Sequence, residues 1–307
     1  MHPGGNKKIL FLAIFAITAG EFLLDLATPH GVTDWVLYFI PLLLSSYVGG
    51  RNLPYLLAAV FSILSPAGYY FSPPGVDARL TLAGRLIGIV AFWVVAILIA
   101  RHKQTEETLH RTERALKTIS AGNQVLVRAT DEPALLREIC RVIVEQGGYR
   151  MAWVGFAEND EKKSVRLAAR AGCDEGYLEK SKISWSDATE HGRGPTGHAI
   201  RTGQISVCND FQTDPIAAPW RAEAAKRGYA AAIVLPLHNA GKTFGVLTLY
   251  AAEANAFNAT EIELLTELAD DLAFGIHSLR VRAERGQAEA ALNESEQRYR
   301  HLFAHMN

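Results

Sequence analysis

An apolar segment, residues 80–100, passes directly into Arg101-His102-Lys103 and then into a charged, helix-favouring sequence, with no breaker at the join. About 20 apolar residues are enough for a helix to cross the hydrocarbon of a bilayer. The sequence therefore predicts one helix that leaves a membrane and continues in water to about Leu126. Its aqueous part has a seven-residue spacing in Leu109, Leu116 and Asn123, with Thr112, Ile119 and Leu126 offset by three. That spacing suits a two-stranded coiled coil, and Leu109, Leu116, Ile119 and Asn123 are its candidate dimer residues. An ordinary surface helix with a short apolar stripe competes with this reading, because Thr112 and Asn123 are polar.

The charges divide the chain into two materials. Lys, Arg, Asp and Glu number 31 and 32 in two pairs, yet only Lys7, Lys8, Glu21, Asp25, Asp34, Arg51, Asp77, Arg79 and Arg85 fall within the first hundred residues. The net charge of −1 and the lack of a concentrated basic face argue against a nucleic-acid partner. Cys140, Cys173 and Cys208 form no CxxC pair and no even-numbered framework, so they read as reduced thiols.

Four apolar segments, 9–28, 35–49, 53–71 and 80–100, fit membrane spans, the second being short. The basic residues Lys7, Lys8, Arg51, Arg101 and Lys103 all fall on one side of a four-span zigzag, which puts both termini in the cytoplasm by the positive-inside rule. The first span precedes three others and lacks a convincing small-residue cleavage site, so it reads as retained rather than as a signal peptide. Glu21 and Asp25 lie four residues apart on one face of the first helix, and Arg85 enters the fourth from the same side, at a depth that permits a Glu21–Arg85 pair. Ionisable groups at such depth mark either a functional site or a structural pair that fixes helix packing. Pro41, Pro54 and Pro66 bend or cap the second and third spans.

Beyond the coil, residues 133–145 form an amphipathic helix stopped by Gly147-Gly148. Two hairpins follow, 149–157 with 164–171 and 230–237 with 243–252, separated by a loop, a short helix and the strand 205–209. A helix over 260–285 closes the unit, and strand pairs flanked by helices indicate an α+β domain with an antiparallel sheet. Ile262, Leu265, Ala269, Leu272, Ile276 and Leu279 recur at three- and four-residue steps, which suits a dimer seam or packing on the domain's own sheet.

Five ordered motifs now carry a resemblance: Tyr149-Arg150-Met151-Ala152-Trp153-Val154-Gly155, Gly192-Arg193-Gly194-Pro195-Thr196-Gly197, Asp210 at a strand end, Leu235-Pro236-Leu237, and Phe244-Gly245-Val246-Leu247-Thr248-Leu249-Tyr250. Together they resemble a GAF domain over about residues 120–280. The resemblance implies a cytosolic sensory module for small-molecule sensing or dimeric relay. The N-terminal half is similar to multi-span input regions of bacterial sensor kinases and cyclic-dinucleotide enzymes. Residues 291–303 resemble the lead-in to a PAS domain, which implies a fragment of a longer protein.

The expected organisation is a four-helix membrane domain (1–101), a signalling coil (102–122), a GAF domain (123–280) and a linker helix (281–307). In the GAF unit, Trp153, His198, Asp210, Trp220, Arg221 and Tyr229 are the candidate pocket residues, an aromatic wall with one acid and one base suited to a polar planar ligand. Trp153 and Tyr229 are also candidates for plain core, and Asp210 for a turn cap. The stretch 192–197 formally matches GxGxxG but lacks the preceding hydrophobic strand and a βαβ unit, which excludes the dinucleotide reading. His191 and His198 have no second-ligand pattern for metal or haem, and no cysteine–histidine dipeptide is present for bilin attachment. A thiol enzyme on this fold would rest on Cys173 and Cys208, with no base in sight. No cofactor is required by the sequence, and its ligand is unknown.

The resulting expectation is the input region of a bacterial inner-membrane receptor. Its partners would be a second copy of itself, membrane lipid, a small molecule, and downstream PAS and histidine kinase domains with a response regulator. A cyclic-di-GMP synthase or phosphodiesterase is the alternative output.

Overall fold

The structure is a computed structural model that describes residues 3–29, 34–48, 50, 52–73, 78–181 and 183–304. Arg51 and Asp77 lie outside this set, as do the side chains of Lys7, Asp34 and residues 299–303. The chain divides into two compact units, Met1–His110 and Arg111–Asn307.

The first unit is built from α1 (Pro3–Ala27), a 3-10 turn (Asp34–Tyr38) leading into α2 (Phe39–Leu44), α3 (Leu53–Phe71) and the first part of α4 (Ala78–Arg128). Among the described residues, three helices are long and apolar enough to cross a membrane: Lys8–Ala27, Leu53–Phe71 and Arg79–Arg128. The expected span at 35–49 is instead a short apolar helix over Trp35–Leu44. Its end has local causes. The Ser45 and Ser46 hydroxyls donate back to the Leu42 and Leu43 carbonyls, each at 2.6 Å. The Lys103 ammonium caps the Ser45 and Val48 carbonyls at 2.7 Å, as cations do at helix C-termini. Pro41 sits in the first turn of α2, where its missing N–H costs nothing. Tyr38, Phe61 and Phe92 are fully buried and meet ring to ring, with centroids 4.9–6.1 Å apart. Ile9, Phe15, Ile63, Leu86, Ile87 and Val90 point outward. So large an apolar exterior is costly in water and is what lipid-facing helices present.

In the second unit, Asp131 caps α5 (Glu132–Glu145) by accepting from the Ala134 amide at 2.8 Å, with Pro133 in the first turn. Five strands follow: β1 (Met151–Ala157), β2 (Val165–Gly172), β3 (Ser206–Cys208), β4 (Ala231–Asn239) and β5 (Lys242–Ala251). They form one antiparallel sheet in the order β2-β1-β5-β4-β3. The sheet is buried on both faces, and strand alternation sorts its residues. Ala152, Val154, Ile233, Leu235, Leu247 and Leu249 face α5 and α9 (Ala259–Ala304). Met151, Trp153, Ala232, Val234, Val246 and Tyr250 face the short helices α6 (Tyr177–Ser181), α7 (Pro195–Thr202) and α8 (Arg221–Lys226) with their loops.

Within this unit α4 and α9 run parallel in contact. Arg114 pairs with Glu261 at 2.7 Å, Gly122 abuts Leu268, and Leu126 abuts Gly275. A Cβ on Gly122 would lie 2.5 Å from the Leu268 Cδ1 atom, so this glycine permits close approach inside an unbroken helix. The seven-residue pattern splits accordingly. Ile119 and Leu126 pack into the domain's own core, whereas Leu109 and Leu116 are 66% and 52% exposed. The periodic residues of α9 do likewise, with Leu265, Ala269, Leu272 and Ile276 in the core and Ile262 and Leu279 against it. α9 also continues past the expected end at 285 to Ala304. Gly286 alone does not stop it, because Arg285–Glu289 and Glu294–Arg298 pairs at four-residue spacing support the exposed helix.

Candidate functional site

The loop-covered face of the sheet holds the site. Tyr250 from β5, Tyr177 from α6 and Tyr229 after α8 meet in a cluster of rings, with centroids 4.6 to 5.8 Å apart. Phe211 stacks on Tyr250 at 6.1 Å. Beside this cluster lies a cavity of about 40 Å³, closed by Trp220 and His191, whose rings are 6.0 Å apart. The glycines of the 192–197 stretch shape its wall. A Cβ on Gly194 would fall 2.3 Å from the Trp220 ring, and one on Gly192 would fall 1.9 Å from the Ser186 carbonyl oxygen. Thr248 brings to the same region a fully buried hydroxyl without a hydrogen-bond partner among the described residues. Burial raises the Tyr177 and Tyr250 phenols above their ordinary range, so both are neutral hydroxyls. The space accommodates a few water-sized groups. The Tyr177, Thr248 and Tyr250 hydroxyls are its uncharged polar handles.

Residues 129–277 match the family described as GAF domain, and residues 8–117 match a domain of unknown function (DUF4118). The second unit carries the GAF-domain match. Among solved structures, the chain is similar to free methionine-R-sulfoxide reductase from Neisseria meningitidis, at 23% identity and a TM-score of 0.45, over 55% of this chain and 91% of that one. It is also similar to the GAF domain of a phosphoenolpyruvate-protein phosphotransferase from Coxiella burnetii, at 18% identity and a TM-score of 0.47, over 56% and 98%. No curated protein matches the chain.

Within the GAF domain the six expected pocket residues separate. Trp220 lines the cavity. Trp153 is buried on β1 beside a neighbouring space of about 120 Å³. Tyr229 is buried, and its hydroxyl reaches the Cys173 carbonyl and, at 3.2 Å, the Met151 sulfur. Asp210 caps a turn by accepting from the Gln212 amide at 2.9 Å and the Thr213 hydroxyl at 3.1 Å. Arg221 donates to the Phe211 and Asp214 carbonyls at 2.8 and 3.1 Å, which pins the loop. His198 is exposed on α7 and is not among the cavity's lining residues. The acid and the base thus hold backbone, and the wall is made instead by Tyr177, Phe211, Thr248 and Tyr250. Thr248 and Tyr250 entered the sequence reading only as part of the 244–250 strand motif and not as pocket residues, and Tyr177 lies on a five-residue helix with no sequence signal.

The cysteines are poorly placed for thiol chemistry. Burial pushes the Cys140 and Cys208 thiols up to about 12, so neither is a thiolate at neutral pH. Cys173 is half-buried, with its sulfur 3.8 Å from a Glu175 oxygen.

The polar cluster of the first unit also differs from the expected pair. Arg85 Nη2 and Nη1 contact Asp25 Oδ1 and Oδ2 at 2.6 and 3.0 Å, and the same guanidinium donates to the Ser65 carbonyl. Its partner is therefore Asp25. Glu21 is buried without one.

Proposed function

We propose that this chain is the sensory input region of a bacterial inner-membrane signal-transduction receptor. Both termini lie in the cytoplasm, the GAF domain reads a small, largely uncharged ligand, and two copies pair along their helices. The output is a histidine kinase acting on a response regulator, reached through a PAS domain after α9; a cyclic-di-GMP enzyme is the alternative output. One observation carries the reading. α4 is helical without interruption from its apolar part to Arg128, and within the GAF unit it lies parallel to α9, which continues beyond the domain to Ala304. A single helix is thus part of both the apolar unit and the sensory one.

The exposed Leu109 and Leu116 support pairing between copies, since both are large apolar residues left without an intramolecular partner surface. In a Cys173→Ser background, which removes the accessible natural thiol, Leu109→Cys and Leu116→Cys are expected to form inter-subunit disulfides in membranes. Failure of both positions to crosslink would sink the dimeric coil. Mass spectrometry of small molecules released from the purified chain tests the pocket, and Thr248→Val is expected to abolish retention.

A further inference from the structure

The apolar unit contains a carboxylate that its own fold leaves unsatisfied. Asp25 and Arg85 cancel each other, and Gly68 makes room for them: a Cβ there would lie 1.8 Å from Asp25 Oδ2. The Asp25 backbone carbonyl is held as well, by the Ser72 hydroxyl at 2.6 Å. Glu21 lies one turn earlier on the same face of α1, is 8% exposed, and has no hydrogen-bond partner on either oxygen among the described residues. The hydroxyls of Thr18, Tyr38 and Ser65 are likewise buried and unpartnered. Thr18 is three residues before Glu21 and shares its face. Tyr38 lies within electrostatic reach of Glu21, Asp25 and Arg85, and Ser65 is the residue whose carbonyl holds Arg85.

We propose that Glu21 takes up a single positive charge inside this unit, as a proton or as a small monovalent cation shared with the neighbouring hydroxyls. An ionised carboxylate in an apolar surrounding costs several kcal/mol unless it is paired or neutralised. Arg85 is already matched by Asp25, and Lys8, Arg79 and Arg101 are exposed. One charge is what the cluster lacks: Glu21, Asp25 and Arg85 sum to −1. The donors are all oxygen and only one carboxylate is uncommitted, whereas a divalent ion draws on several carboxylates. No group of three or more metal-ligating side chains occurs among the described residues. Among the described residues the titratable groups nearest Glu21 are Asp25, one turn along α1, and Tyr38 on the 3-10 turn, with Arg85 on α4 held by Asp25. Uptake would therefore change the charge at a point where α1, the turn, α3 and α4 meet. The proposal rests on the reading of this unit as membrane-embedded.

The test uses the full chain in phosphatidylcholine vesicles, with flotation reporting insertion independently. Infrared spectra are recorded across a pH titration with only a bulky organic cation present, and thermal unfolding is followed while sodium or potassium chloride is added. A protonated-carboxyl band in the wild type that is lost in Glu21→Gln assigns the charge to a proton. A stabilisation by alkali salt, absent with the bulky cation and absent in Glu21→Gln, assigns it to a metal cation. Either result supports the proposal. Identical carboxyl bands and identical salt responses in wild type and variant would overturn it. If Glu21→Gln does not fold, Thr18→Val and Tyr38→Phe serve. Each is expected to move the titration midpoint about tenfold in proton or cation concentration, the worth of one hydrogen bond to a charged group, and unmoved midpoints in both overturn the proposal.

Discussion

Each unit buries an arginine–carboxylate cluster, and the two are completed differently. In the GAF unit, Glu261 is fully buried and one of its oxygens accepts from both Arg114 and the Tyr149 hydroxyl, each at 2.7 Å. The guanidinium lies 4.6 Å from the centre of the Tyr149 ring. Glu261 also sits in the first turn of α9, behind the cap made by Asn258, where the helix dipole favours an anion. Ring, cation and dipole all serve one carboxylate. In the apolar unit one cation faces two carboxylates, and Glu21 is far from the helix N-terminus. In the first cluster the charges balance and join α4, α9 and the strand lead-in, although Glu261 Oε2 and Arg114 Nε are buried without a hydrogen-bond partner among the described residues. The second has one charge left over, which is the condition for responding to something outside the fold.

Removing the shared cation should have the largest effect. Arg85→Met leaves Asp25 and Glu21 both uncompensated, an expected loss of about 3–5 kcal/mol, seen as little folded protein recovered from membranes. Adding Asp25→Leu should restore most of it, because the double variant removes the pair rather than half of it. Equal recovery of Arg85→Met and wild type would break the distinction between the clusters. Next in size is Glu261→Ala, which strands Arg114 and the Tyr149 hydroxyl. The Arg114 side chain keeps 15% of its exposure and regains some hydration, so the expected cost in denaturant unfolding is about 3 kcal/mol, at the lower end of the range for a broken buried pair. A loss below about 1 kcal/mol would mean that the GAF cluster is not a structural latch.

How much of this was legible in the sequence follows from what each residue's partner is. The sheet was readable because its signals are local: short, nearly continuous apolar runs along β1, β4 and β5, and turn residues between them. The long α4 was readable because nothing breaks it. The short second helix was not, since Lys103, which caps it, is more than fifty residues away. The seven-residue pattern on α4 could not say which of its leucines would meet α9, because Ile119 and Leu116 look alike until the sheet is in place. For the site, sequence supplied Trp220 but not Thr248 or Tyr250, and it offered Arg221 as ligand-facing and Asp210 as either ligand-facing or a turn cap. Polar side chains in loops more often satisfy backbone, and only the folded loop reveals which backbone. The choice of Asp25 over Glu21 as the partner of Arg85 was equally hidden, since both share a helix face and the selection rests on the space above Gly68.

The smallest effect separates the clusters by titration. Burial, and then the charge of Glu261, raise the Tyr149 phenol above its ordinary value. A group whose folded pKa is raised contributes stability that is fully present below its unfolded pKa, about 10 for tyrosine, and is lost as pH climbs toward the folded value. Tyr177, Tyr229, Tyr250, Cys140 and Cys208 are shifted the same way, so the GAF unit is expected to weaken in alkali through all of them. Tyr149→Phe removes one member of that set. At neutral pH it should cost about 1 kcal/mol, for one hydrogen bond to Glu261 that Arg114 still partly replaces. Above pH about 10 the cost should shrink, because the variant's stability falls by one proton fewer, about 1.4 kcal/mol less per pH unit. Denaturant midpoints of the two proteins would therefore converge as pH rises. Curves that stay parallel would mean that Tyr149 is not titrated on unfolding, and the phenol would lose its place in the balanced cluster.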